Sequence, residues 1–247
     1  MNSRTIKLST PILIAAVAML SGPLQAQDVP LDVDVNKMLS EKYKGESYSP
    51  YAKREFPNEV LWGDSHLHTG ISFDAGTAGA ILLPADAYRF ARGEEVVSSY
   101  GIPVKLSRPL DWLAVTDHTD NMGFIIDLVA GNPDILATPE GKDWHERLKT
   151  ASKDDKPKIA YEIIKALMVT KTFPMEIYYD PNSKGYKSTW ERIVKAAEQY
   201  NEPGRFTAMI GYEWTSTLEG NNLHRNVLYR DSGEKAMQMM PYTTTPP

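Results

Sequence analysis

Hydrophobic and polar positions fall into distinct patterns along the chain, and each pattern predicts a different element. Val60 to His68 predicts a first strand, Ala85 to Arg92 a helix that Gly93 ends, and the apolar run Trp112 to Thr116 a second strand. From Gly141 to Thr172 a helix is predicted, with Ile159, Ile163, Ile164, Leu167 and Met168 at helical spacing. Another helix is predicted from a capping box of Ser188 and Glu191 through Ile193, Val194 and Ala197, stopped by Pro203 and Gly204. Strands return at Phe206 to Trp214 and Leu223 to Tyr229, and Asp231 to Pro247 reads as a polar tail. Strands alternating with helices predict an α/β architecture on a largely parallel sheet. Four strand candidates stand against the roughly eight of a closed β/α barrel. The expectation is the N-terminal part of a barrel, in a chain truncated at its C-terminus.

The start of the chain follows a different logic. Arg4 and Lys7 precede nine apolar residues, Ile12 to Leu20, with Ser21, Gly22 and Pro23 as breakers and Ala26 as a cleavage position. That layout predicts a secretory signal peptide over residues 1–26, because nine apolar residues fall short of the ~20 that span a bilayer. A periplasmic or secreted protein with no integral span after cleavage is expected. Residues 27–57 are polar and lack apolar periodicity, which predicts an extended arm ahead of a domain over 58–247.

Composition narrows the chemistry. The 247 residues are 42% hydrophobic and 24% charged, with Lys+Arg 27 against Asp+Glu 32 and a formal charge of -5. No basic run stands out, so no nucleic-acid partner is expected. With no cysteine, disulfides, zinc-thiolate sites and thiol nucleophiles are excluded. Any metal must sit on His, Asp and Glu.

Four of the five histidines fall on predicted strands or just past their ends. In Asp64-Ser65-His66-Leu67-His68, alternation puts Asp64, His66 and His68 on one face, where two imidazoles can converge on one cation. The Gly- and Ala-rich turn after them carries Asp74, an oxygen donor able to swing back over the strand end. Asp117-His118 marks the carboxyl end of the second strand; neighbours on a strand face apart, so one binds while the other orients a ligand, with His118 favoured to bind. Glu213, between Tyr212 and Trp214, needs a partner or a metal to lie buried, which makes it the candidate to bridge two cations. His224 adds an imidazole and Arg225 a guanidinium suited to clamp an anionic group, while His145 reads as a surface residue of an amphipathic helix. Catalytic roles are thus expected of Glu213, Asp117 and Arg225.

Gly63-Asp64-Ser65-His66-Leu67-His68-Thr69, Thr116-Asp117-His118 and Gly211-Tyr212-Glu213 together resemble the PHP (polymerase and histidinol phosphatase) superfamily of metal-dependent phosphoesterases. More closely, Asp86 to Gly93, Gly211 to Ser216 and Asn221 to Asn226 resemble the exported PHP-like family known as domain of unknown function 3604. The resemblance implies a distorted β/α barrel carrying up to three divalent ions. It places His66, His68, Asp74, His118, Glu213 and, less securely matched, His224 among their ligands. The superfamily's later histidine and terminal Asp-x-His pair have no counterpart after residue 224. Zinc, manganese or iron suits such donors better than calcium. The expected reaction is hydrolysis of a phosphate monoester or diester on a small phosphorylated substrate, with Asp64 or Asp117 orienting imidazoles. An amidohydrolase or lactonase chemistry and a non-catalytic periplasmic metal- or ligand-binding protein are the alternatives.

Overall fold

A computed structural model of the chain describes residues 60–152, 154–216 and 222–244. The predicted signal peptide and arm lie outside the described residues. The elements run β1 (Gly63–Leu67), α1 (Phe73–Thr77), α2 (Pro84–Ala91), β2 (Val96–Val97), β3 (Pro103–Val104), β4 (Trp112–Val115), α3 (Phe124–Ala130) and α4 (Pro133–Leu136). They continue with α5 (Pro139–Thr150), α6 (Lys156–Met168), a 3-10 turn at Met175–Ile177, α7 (Lys184–Tyr200), β5 (Thr207–Met209), β6 (Gly211–Ser216), β7 (Leu223–Leu228) and α8 (Gly233–Ala236).

The fold is mixed α/β with small sheets. β1, β4 and β5 form a parallel sheet in that spatial order, β2 pairs antiparallel with β3, and β6 pairs antiparallel with β7. Among the described residues no barrel closes. The largely parallel expectation therefore holds for one sheet and fails for the β6–β7 hairpin, whose strands are joined too closely for a parallel crossover.

Predicted strand Phe206 to Trp214 is two strands. β5 follows the β4 ladder to Ala114↔Met209, and after Ile210 the chain picks up β7 at Gly211↔Leu228. Contact with the first sheet survives as one parallel bridge, His118↔Glu213, so β6 grips β4 just past its carboxyl end.

The helix predicted over 141–172 is also two. Thr138 caps α5 by accepting the Gly141 amide, and α6 starts anew with Pro157 in its first turn. An unbroken helix would put Pro157 in an interior where its missing N–H and ring oppose the preceding turn. Nor do Ser188 and Glu191 open α7: Ser183 does, accepting the Tyr186 amide, and Ser188 lies inside the helix with its hydroxyl on the Gly185 carbonyl.

The core lies between this helix and the sheets. α7 buries Tyr186, Thr189, Trp190, Ile193, Val194 and Ala197, a stripe of i, i+3, i+4, i+7 spacing, and packs against α2 and β5. Burial of each large apolar side chain stabilises by roughly 1.5–3 kcal/mol. The predicted polar tail joins this core rather than trailing in solvent. Trp190 Nε1 donates to the Ala236 carbonyl, Tyr186 to that of Pro241 and Thr119 to that of Tyr242, while Thr243 and the Thr244 amide donate to Asp120. Thr244 closes the strap by donating to the Thr215 carbonyl. No helix among the described residues is long and apolar enough to cross a membrane.

Candidate metal centre

The carboxyl ends of β1 and β4 meet the β6–β7 hairpin at one place, and His66, His68, Asp74, His118, Glu213 and His224 gather there. Three overlapping groups have donor atoms within 4.8 Å of one another: His66, His68 and Glu213; His68, Asp74 and His118; His118, Glu213 and His224. Such groups can hold metal ions.

β1 supplies its histidines through an irregular register. Asp64 stands opposite Leu113 but Leu67 opposite Val115, so three steps on β1 match two on β4. A bulge of this kind re-aims side chains at a sheet end. His66 Nε2 and His68 Nε2 both reach Glu213 Oε2, at 2.9 and 2.7 Å. The row of rings continues from His68 to His118 at 4.6 Å between centroids and from His118 to His224 at 5.3 Å.

Glu213 is wholly buried and held by its backbone, its amide donating to the Asp117 carbonyl and its carbonyl accepting from the Thr119 amide. Burial acts to raise its pKa, yet the charges of His118, His68 and His66, with the His68 hydrogen bond, hold it below the ordinary value. Tyr212 and Trp214 occupy the other face of β6 by strand alternation, so histidines surround this carboxylate rather than the two aromatics that flank it in sequence. Asp74 sits on α1 with Oδ1 3.4 Å from His68 Nδ1 and Oδ2 3.6 Å from His118 Nε2. Burial opposes its ionisation, but the two imidazoles and the Ala75 amide hold its pKa down at about 2. His68 is raised to about 8, because Asp74 and Glu213 outweigh a burial effect that acts to lower it. His118 goes the other way: burial favours its neutral, ligand-competent form.

Two observations bear on whether cations fit. Glu213 Oε1 is buried without a hydrogen bond, although His224 Nδ1 lies only 2.6 Å away. Glu213 and Asp74 also form their ion pairs with histidines alone among the described residues, leaving two carboxylates without a Lys or Arg to balance them.

Other predicted residues lie elsewhere. Asp117 is buried with its carboxylate accepting from the amide and hydroxyl of Thr69, so it anchors the turn after β1 rather than orienting a histidine ring. Burial pushes its pKa up. Asp64 accepts from the His66 amide, not from its ring. Arg225 pairs with Trp214 across the hairpin, on the face opposite Glu213 and His224, and its guanidinium donates to the His224 carbonyl. The anion clamp expected of it is not present in this arrangement. Gly211, two residues before Glu213, leaves room for Leu228, the Val227 carbonyl and Thr116. His145, expected at the surface, is half-buried and donates Nδ1–H to the Leu128 carbonyl at 2.7 Å.

Sequence reading missed Ser72, Thr215 and Asn226. Ser72 Oγ accepts the His118 amide, Thr215 stands between two imidazoles, and Asn226 donates to the Ser65 carbonyl, tying the hairpin to β1. The period-two rule applied to Glu213-x-Thr215 and His224-x-Asn226 finds the last two.

A family model described as Protein of unknown function (DUF3604) matches residues 55–246. No curated protein and no solved structure matches the chain.

Proposed function

The chain belongs to the DUF3604 family, and we propose that it is an exported, metal-dependent hydrolase of phosphate esters. One observation carries the reading: four imidazoles from three segments, those of His66, His68, His118 and His224, converge on one buried carboxylate, Glu213, with Asp74 beside two of them. Imidazoles mixed with carboxylates suit zinc, manganese or iron. The order of the three motifs, which resembles the PHP superfamily, supports phosphoester chemistry over other hydrolyses.

In this reading His66, His68 and Glu213 hold one cation and His118, Glu213 and His224 another, with Glu213 common to both. Divalent ions there supply a water of lowered pKa and charge neutralisation for phosphoryl oxygens. His68 Nε2 faces Glu213 while Nδ1 faces Asp74, so the carboxylate of Asp74 orients the ring and raises its basicity. The substrate is a small phosphorylated molecule, because the charge pattern carries no basic run for a polyanion.

Elemental analysis of the mature protein, purified without chelator, beside a His66→Ala/His68→Ala variant tests the reading first. The expected result is roughly two or three equivalents of transition metal in the parent and loss of most of it in the variant. Phosphate mono- and diesters are then assayed against lactones and amides. Turnover confined to lactones or amides moves the protein to the amidohydrolase class, metal without turnover on any panel makes it a binding protein, and a metal-free parent ends the hydrolase reading.

A further inference from the structure

Thr215 lies directly opposite His224 in the β6–β7 register and on the same face as Glu213. Its hydroxyl is 2.9 Å from His118 Nδ1 and 3.1 Å from His224 Nδ1, and the side chain is buried. Of the two His118 nitrogens, Nδ1 thus has an oxygen at hydrogen-bond distance, whereas Nε2 has only Asp74 Oδ2 at 3.6 Å, too far for one. A hydroxyl carries one hydrogen, so it cannot donate to both rings.

From this we infer that Thr215 is a positioning residue that couples the tautomers of two candidate ligands. It can give its one hydrogen to only one of the two Nδ1 atoms, so at least one of His118 and His224 carries Nδ1–H and donates it to the Thr215 oxygen. The backbone that carries it is held on the Thr244 side, where the Thr215 carbonyl accepts the Thr244 hydroxyl. As a statement about metal affinity the inference rests on the proposed function; as a statement about tautomers it stands on the hydrogen-bond geometry alone.

Two measurements on the full chain separate these. Zinc affinity, by competition with a chromophoric chelator, is compared among the parent, Thr215→Ser and Thr215→Val. The serine variant is expected within about threefold of the parent and the valine variant about 10–100-fold weaker, the usual effect of losing an outer-shell partner. Equal affinity in the valine variant and the parent, or equal weakness in the serine and valine variants, overturns the affinity claim. Long-range 1H–15N spectra of the metal-free proteins read the tautomer directly. At least one of His118 and His224 is expected as Nδ1–H in the parent and in Thr215→Ser, and shifted toward Nε2–H in Thr215→Val. Nε2–H forms of both rings in the parent overturn the inference whether or not zinc binds, while a parent that binds no zinc but shows an Nδ1–H form retires the proposed function and leaves the tautomer coupling in place.

Discussion

His118 and Glu213 face each other across a single parallel bridge, with the ring Nδ1 3.9 Å from Oε2. That bridge is where the parallel sheet hands over to the β6–β7 hairpin, so the junction of the two sheets and the centre of the donor cluster are the same place. A buried carboxylate at such a junction needs compensating partners, and here histidines provide them.

Glu213 belongs to two of the three donor groups, His66 and His224 to one each. Glu213→Gln, which keeps the shape and removes the charge, is expected to abolish most metal uptake, whereas His66→Ala or His224→Ala removes about one equivalent. Metal content by elemental analysis decides this, and equal losses in all three variants contradict the shared role of Glu213.

The His68–Asp74 pair predicts a pH dependence with a definite sign. His68 is raised from 6.5 to about 8, so its contribution to stability is complete below about 6.5 and disappears as pH rises through about 8. Asp74 is lowered from 3.8 to about 2, so its contribution is complete above about 3.8 and disappears as pH falls through about 2. In chelator, the Tm difference between the parent and His68→Gln is expected to be largest between about pH 4 and 6.5 and to shrink toward pH 8. With zinc present the trend reverses, because a protonated imidazole cannot ligate. Calorimetry across pH 5–9 with and without zinc distinguishes the two slopes.

Asp117 supports the turn that carries the chain from His68 toward Asp74. Asp117→Ala strands the Thr69 amide and hydroxyl in a buried site, a loss of about 1–3 kcal/mol, or roughly 2–12 °C in Tm. Thermal melting of the metal-free protein checks it. A Tm unchanged to within a degree means the turn is held by something else.

Gly63 lies against Trp112 so closely that a β-carbon there meets both its ring and its backbone carbonyl. Gly63→Ala is expected to destabilise by about 3 kcal/mol, the upper range for overpacking. Trimming the ring in a Gly63→Ala/Trp112→Leu double variant is not expected to restore stability, since the carbonyl still obstructs. Full rescue in denaturant melts contradicts this.

The donor set was legible because strand alternation and strand-end placement are local rules: His66 with His68, and His118 after an apolar run, need no knowledge of the rest of the chain. What the local rules missed has physical causes. Arg225 follows His224 directly, and the alternation that brings His224 to the site turns Arg225 away from it. Asp117 looked like an orienting carboxylate, but the nearby Thr69 amide and hydroxyl satisfy it first. The split of 206–214 into β5 and β6 depends on two different neighbours, β4 and β7, which periodicity within one segment does not encode. Pro157, by contrast, was visible in the sequence and marks the break between α5 and α6.

The bulge on β1 and the hairpin that answers it set the order in which events can occur. His66 and His68 contact Glu213 across 147 and 145 residues of chain, so a complete donor group forms only after a long loop has closed. A cation taken up by these donors would therefore arrive late and lock a structure already assembled, unlike an ion that nucleates a short finger. An ion held by His118, Glu213 and His224 would be gripped from the end of β4 and from both strands of the β6–β7 hairpin, so its lifetime would become a clock for the opening of that hairpin.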